Sequence, residues 1–292
     1  MRSEKEILDL IIKVAKEDER IRAAFIGGSR CNPNAPRDIF QDYDVEFIVR
    51  ETKSFREDKR WIDRFGKRLY MQCPDDNIFY PSEPDNRYAW LIQFADGVRL
   101  DLTVCTLEYR LPLLKNDRMY RILIDKDNCI PPLDENRLSD SEFWVKRPTQ
   151  DEFTAACNEF WWCLNNVAKG LWRDEIPYVM DMINMVIRPQ LLKLIEWKIG
   201  IQTNFKVSIG KSGKYMHRWL TGETYQRYLD TYSAAERDAI WKSVFVMCDM
   251  VDEMAAEIVY SLGFEYNKEE AINSRAYLEH VRNLPKDAKE IY

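Results

Sequence analysis

Apolar residues near the start of the chain recur at helical spacing, at Ile7, Leu8, Ile11, Ile12, Val14 and Ala15. Ser3 and Glu6 stand in the relation of a capping box, so the pattern predicts a helix over about residues 4–19. A short apolar run, Ala23 to Ile26, is closed by Gly27-Gly28 and predicts a buried strand ending in a turn. After a loop from Arg30 to Gln41, Val45, Phe47 and Val49 alternate with Asp44, Glu46 and Ile48, the period of a second strand. Trp61 and Phe65 suggest a helix near 58–70. Tyr88 to Phe94 and Val98 to Cys105, separated around Asp96-Gly97, predict a hairpin with a two-residue turn.

The periodicity changes beyond about residue 140. Glu152 to Gly170, Tyr178 to Ile199, Thr221 to Tyr228 and Ala234 to Leu262 all repeat at helical spacing, with few strand signals. The expected architecture is therefore α/β plus all-α: a mixed sheet with helices over 1–138, then a helical bundle over 139–292. The boundary is placed in the Pro-rich, polar stretch Pro131 to Pro148. Trp161, Trp197, Trp219 and Trp241 are expected in the core of the second part.

Composition narrows the function classes. Lys+Arg 43 against Asp+Glu 49 gives a net charge of −6. That balance argues against a nucleic-acid binder, which usually carries a basic excess, and suits a cationic small-molecule partner. Seven cysteines form an odd set without a CxxC pair, as expected for reduced thiols of a cytoplasmic protein. The first twenty residues are charged and helical in pattern, and no apolar run reaches the ~18 residues of a membrane span, so neither export nor a membrane partner is expected.

The chemistry concentrates at Gly28-Ser29, Asp42-Tyr43-Asp44 and Asp101. Strand side chains alternate between faces, so Asp42 and Asp44 project to one side and can share divalent cations. In the hairpin strand Leu100, Leu102 and Val104 take the core face and leave Arg99, Asp101 and Thr103 on the other. An ionised carboxylate is costly to bury unpaired, so a metal or proton-transfer role explains Asp101. Mg²⁺ prefers hard oxygen ligands and bridges carboxylates to the phosphates of a nucleoside triphosphate. The turn complements the acids: its glycines let the backbone approach closely, and its N–H groups with the Ser29 hydroxyl can bond phosphate oxygens. Arg30 is expected to contact the leaving pyrophosphate, and Asp101, which joins Asp42 and Asp44 around the metal, to take the proton of the acceptor hydroxyl.

A strand, a Gly-Ser turn, a DxD at the next strand and a third Asp on a hairpin strand resemble the polymerase β-like nucleotidyltransferase superfamily. The likeness extends further. MRSEKE, DERIR, GSR, FQDYD, LDLTV, LIDKD, CNEFW, KGL and WKIG are similar to segments of the aminoglycoside 6-adenylyltransferases, over nearly the whole chain. The resemblance implies a nucleotidyltransferase domain followed by a helical domain, transfer of AMP from ATP to the 6-hydroxyl of streptomycin, and hence antibiotic resistance. It places metal ligands at Asp42 and Asp44 and the base at Asp101. The sequence departs from the expected pattern where IGGSR lacks an acid before Gly-Ser.

Gly210-Lys211-Ser212 is not a Walker A loop, because that pattern needs a glycine where Phe205 stands. Lys211 and Lys214 are nevertheless candidate triphosphate contacts. Glu159 and Asp181 are the chosen contacts to a cationic acceptor, since carboxylates pair with guanidinium groups. His217 and His280 are too few for a histidine metal centre. A same-fold enzyme with another small acceptor and a nucleotide-binding, antitoxin-like module are the rival readings. A monomer and a homodimer both remain compatible with the sequence.

Overall fold

The structure, a computed structural model, describes every residue except 135 and 137. It divides into two compact units, Met1–Glu142 and Phe143–Tyr292.

The first unit is built on a six-stranded sheet of β1 (Ile21–Ile26), β2 (Tyr43–Val49), β3 (Arg68–Gln72), β4 (Arg87–Phe94), β5 (Arg99–Thr106) and β6 (Arg121–Asp125), in the order β3-β4-β5-β2-β1-β6. β2 and β5 run parallel; the other neighbours are antiparallel. Helix α1 (Glu4–Glu17) starts at the expected capping box, in which Ser3 and Glu6 satisfy each other's backbone N–H groups. Its Ile7, Ile11, Val14 and Ala15 cover one sheet face together with Trp61 and Phe65, against Val45, Phe47, Leu100, Leu102 and Val104. Full burial of each large aliphatic contributes about 1.5–3 kcal/mol. The opposite face is only partly covered, by a cluster of Ala23, Phe25, Ile48, Cys105, Leu114, Tyr120 and Ile130. Alternation therefore leaves Asp44 and Glu46 on β2, and Asp101 and Thr103 on β5, on this second face.

Two local expectations are corrected. The segment near 58–70 is not one helix: a short α2 (Lys53–Glu57) precedes a 3₁₀ turn at Trp61–Phe65, and β3 follows. The buried Trp61, Ile62 and Phe65 do share a helical face, but Gly66, at φ +139°, ends the turn after them. The hairpin loop has three residues instead of two. Phe94 donates to Val98 O at 2.9 Å across Ala95, Asp96 and Gly97, and Gly97 takes φ +88°. This is the turn-plus-bulge closure that a glycine at the third loop position permits. A short α3 (Leu107–Leu114) follows β5.

The second unit is helical: α4 (Gln150–Arg173), α5 (Ile176–Asp181), α6 (Arg188–Gln202), α7 (Gly222–Leu229), α8 (Arg237–Leu262) and α9 (Lys268–Asn283). Phe153, Phe160, Leu164, Leu194, Trp241 and Val251 are among its core residues. Trp161, Trp197 and Trp241 are buried as expected, whereas Trp219 is 39% exposed. α5 and α6 are joined through a π-helical segment, Met182–Ile187, where Arg188 N donates to Ile183 O. Pro189 explains it: proline has no N–H to offer and its ring clashes with the preceding turn, so the ladder widens. Among the described residues no helix is long and apolar enough to cross a membrane.

Candidate active site

β1 ends in the Gly27-Gly28-Ser29 turn, which begins a 3₁₀ turn at Gly28–Arg30. The turn is fastened to the start of β2, because Gly27 N donates to Asp44 O at 2.8 Å. Gly28 adopts φ +61°, and a β-carbon there would lie 1.8 Å from Asp44 Oδ2. Only glycine lets this turn sit against that carboxylate. The Gln41 side-chain amide reaches the Ser29 carbonyl at 3.3 Å and its hydroxyl at 3.4 Å, tying the turn to the loop before β2.

Parallel pairing places Asp44 directly across from Asp101. Asp42 joins from the residue before β2, and one oxygen of each of the three carboxylates lies within 4.8 Å of the others. Burial, then the charges of Asp42 and Asp101, push the Asp44 carboxyl up to about 6, against the pull of Arg99. Three such carboxylates offer hard oxygen donors of the kind a divalent cation takes, and a cation there would offset the repulsion that makes ionisation unfavourable. The structure thus brings together Gly28, Ser29, Asp42, Asp44 and Asp101.

Arg30 requires a correction. Its guanidinium, almost wholly buried, donates to the carbonyls of Asp42 and Gln41, each at 2.8 Å, and to Glu4 at 3.1 Å. It also stacks on Tyr43, 3.6 Å from the ring centroid. Turned inward in this way, it holds the 31–42 loop to the sheet and is not presented to a pyrophosphate. The cation at the site is Arg99, on the same β5 face as Asp101, which forks onto Asp101 and approaches Asp42 at 3.8 Å. Further along the face Glu46 pairs with buried Arg110, which also binds Asp117. Arg99 and Gln41 were missed as site residues, although the alternation that exposes Asp101 carries Arg99 with it.

The remaining candidates belong to the helical unit. Lys211 and Lys214 are exposed around a tight turn in which Gly210, Ser212 and Gly213 all take positive φ. Glu159 is exposed on α4 and Asp181 at the end of α5.

The family model described as streptomycin adenylyltransferase matches residues 1–281. The chain is 38% identical over 267 residues to an aminoglycoside 6-adenylyltransferase of Bacillus subtilis (strain 168), covering 91% of this chain and 93% of that protein. It is 37% identical over 268 residues to the aminoglycoside 6-adenylyltransferase of Campylobacter jejuni, covering 91% of each. A crystal structure of the Bacillus subtilis aminoglycoside 6-adenyltransferase aligns over 97% of this chain and 100% of that one, at 33% identity and a TM-score of 0.48. The chain belongs to the streptomycin adenylyltransferase family and is a nucleotidyltransferase.

Proposed function

We propose that this enzyme transfers AMP from ATP to a hydroxyl of streptomycin, the 6-hydroxyl, in the presence of Mg²⁺, and so confers resistance to the drug. The observation that carries this reading is the Asp42, Asp44 and Asp101 cluster packed against the Gly28-Ser29 turn. The donor set, all carboxylate oxygen, suits Mg²⁺, which these three residues would hold. When bound, the ion supplies charge neutralisation to the triphosphate.

The chain's own residues do the rest. Backbone N–H groups at Gly28 and Ser29, with the Ser29 hydroxyl, bind β- and γ-phosphate oxygens. Asp101 accepts the proton of the acceptor hydroxyl. That oxygen bonds to the α-phosphorus in line with the breaking bond to the β-phosphate oxygen, and pyrophosphate leaves. In the helical unit, Lys211 and Lys214 are the proposed anion contacts, and Glu159 and Asp181 the proposed partners of the drug's guanidinium groups. Seven free cysteines support a cytoplasmic setting.

Mass spectrometry of streptomycin incubated with protein, ATP and Mg²⁺, beside an EDTA control, tests the reading. The expected result is a metal-dependent gain of one AMP. An unmodified drug under conditions where the protein binds the nucleotide overturns the choice of acceptor.

A further inference from the structure

We infer that Arg99 is a positioning residue that keeps the Asp101 carboxylate closed until a nucleotide arrives, an inference that rests on the nucleotidyl-transfer reading above. The fork is complete: Nε donates to Asp101 Oδ1 at 2.9 Å and a terminal nitrogen to Oδ2 at 2.7 Å. The same Nε lies 3.8 Å from Asp42 Oδ2. Among the described residues Arg99 is the one cation with an ion pair to this cluster, to Asp101 and Asp42.

While the fork stands, each oxygen of Asp101 has one lone pair engaged and a guanidinium charge against it, which weakens its hold on a cation and on the proton of a hydroxyl. The contact is also replaceable, because the Arg99 side chain is 48% exposed. Exposed ion pairs are weak enough to change partners. A triphosphate offers a guanidinium the same paired-oxygen geometry with more negative charge than one carboxylate. Arriving at the Gly28-Ser29 turn, it draws Arg99 away and releases both Asp101 oxygens. One arginine thus has two alternative partners, and its exchange couples nucleotide occupancy to the availability of the base. In the resting protein it also partly offsets the mutual repulsion of Asp42, Asp44 and Asp101.

The test uses the whole protein and two binding measurements that move in opposite directions. Mn²⁺ is titrated without nucleotide, with free ion read by electron paramagnetic resonance, into wild type and Arg99→Met. Freed carboxylate oxygens and the loss of a repelling charge should tighten Mn²⁺ binding about tenfold. Binding of α,β-methylene ATP with Mg²⁺, followed by calorimetry, should weaken about tenfold in the same variant. Arg99→Lys, which keeps the charge without the fork, should recover part of the nucleotide affinity. A merely structural arginine would weaken both. Mn²⁺ binding that is unchanged or weaker in Arg99→Met overturns the inference, and Arg99→Gln decides the same question should the methionine variant fold poorly by circular dichroism. If wild type itself binds no nucleotide analogue, the transferase reading falls; if wild type binds it and both Arg99 variants match it, only the role of Arg99 falls.

Discussion

Gly28 and Asp44 are packed so closely that a single methyl group on the glycine would occupy the place of the aspartate's Oδ2, 1.8 Å away. The positive φ of Gly28 adds a backbone penalty of about 1–2 kcal/mol for any other residue. Gly28→Ala is therefore expected to displace the Asp44 carboxylate and lower kcat/KM about 10²-fold, the usual scale for a 1 Å error in catalytic geometry. Steady-state kinetics beside a thermal melt checks this; near-wild-type turnover would show that the turn does not set the carboxylate's position.

Asp44→Asn should abolish transfer without unfolding the protein. The native state buries Asp44 beside two other acids, so a neutral isostere removes repulsion. The expected melting temperature equals or exceeds that of wild type, the trade seen where an active site is held at the expense of stability. Full turnover by a well-folded Asp44→Asn protein would sink the metal assignment.

Arg30→Met should be costly to the fold. It strips donors from two backbone carbonyls and removes the stack on Tyr43, for an expected loss of about 2–4 kcal/mol in urea unfolding. Arg30→Lys should recover little, because an ammonium cannot reproduce the fork. If Arg30→Met keeps wild-type stability and loses only nucleotide affinity, Arg30 is a phosphate contact after all.

Acid sensitivity should come partly from the end of α1. Burial alone would raise the Asp18 carboxyl, but hydrogen bonds from Arg20 and from Trp61 Nε1 outweigh it and hold it at about 2. Arg2 likewise holds Asp96 below the usual carboxylate range. A depressed folded value means stability that is present above the ordinary 3.8 and is lost as pH falls toward 2. Urea midpoints measured down through that window should decline less steeply in Asp18→Asn than in wild type. Parallel curves would exclude Asp18 as a contributor.

The carboxylate face of β2 and β5 was legible in the sequence because strand alternation fixes which side chains share a face, whereas the parallel pairing that sets Asp44 beside Asp101 left no sequence signal. Arg30 was misread for the opposite reason: in a 3₁₀ turn no simple period says whether a long side chain points outward or folds back onto carbonyls. β6 left no pattern because all five of its residues are half-buried, so apolar and polar positions do not alternate. α9 is largely polar, with Ala271, Leu278 and Val281 as its buried residues, too sparse a stripe to stand out. The π segment could be inferred only from Pro189 within a helical run, and proline alone does not say whether a helix will break, bend or widen.

The parallel pairing of β2 with β5 also has a meaning in time. Parallel neighbours cannot be joined by a tight turn, and here residues 50–98, including α2, β3 and β4, intervene before Asp101 can stand beside Asp44. Contacts between such distant parts of a chain form slowly. Their meeting therefore depends on the intervening β4, whose Leu91 pairs with Asp101, and a lesion in β3 or β4 would disturb the site with Asp42, Asp44 and Asp101 all unaltered.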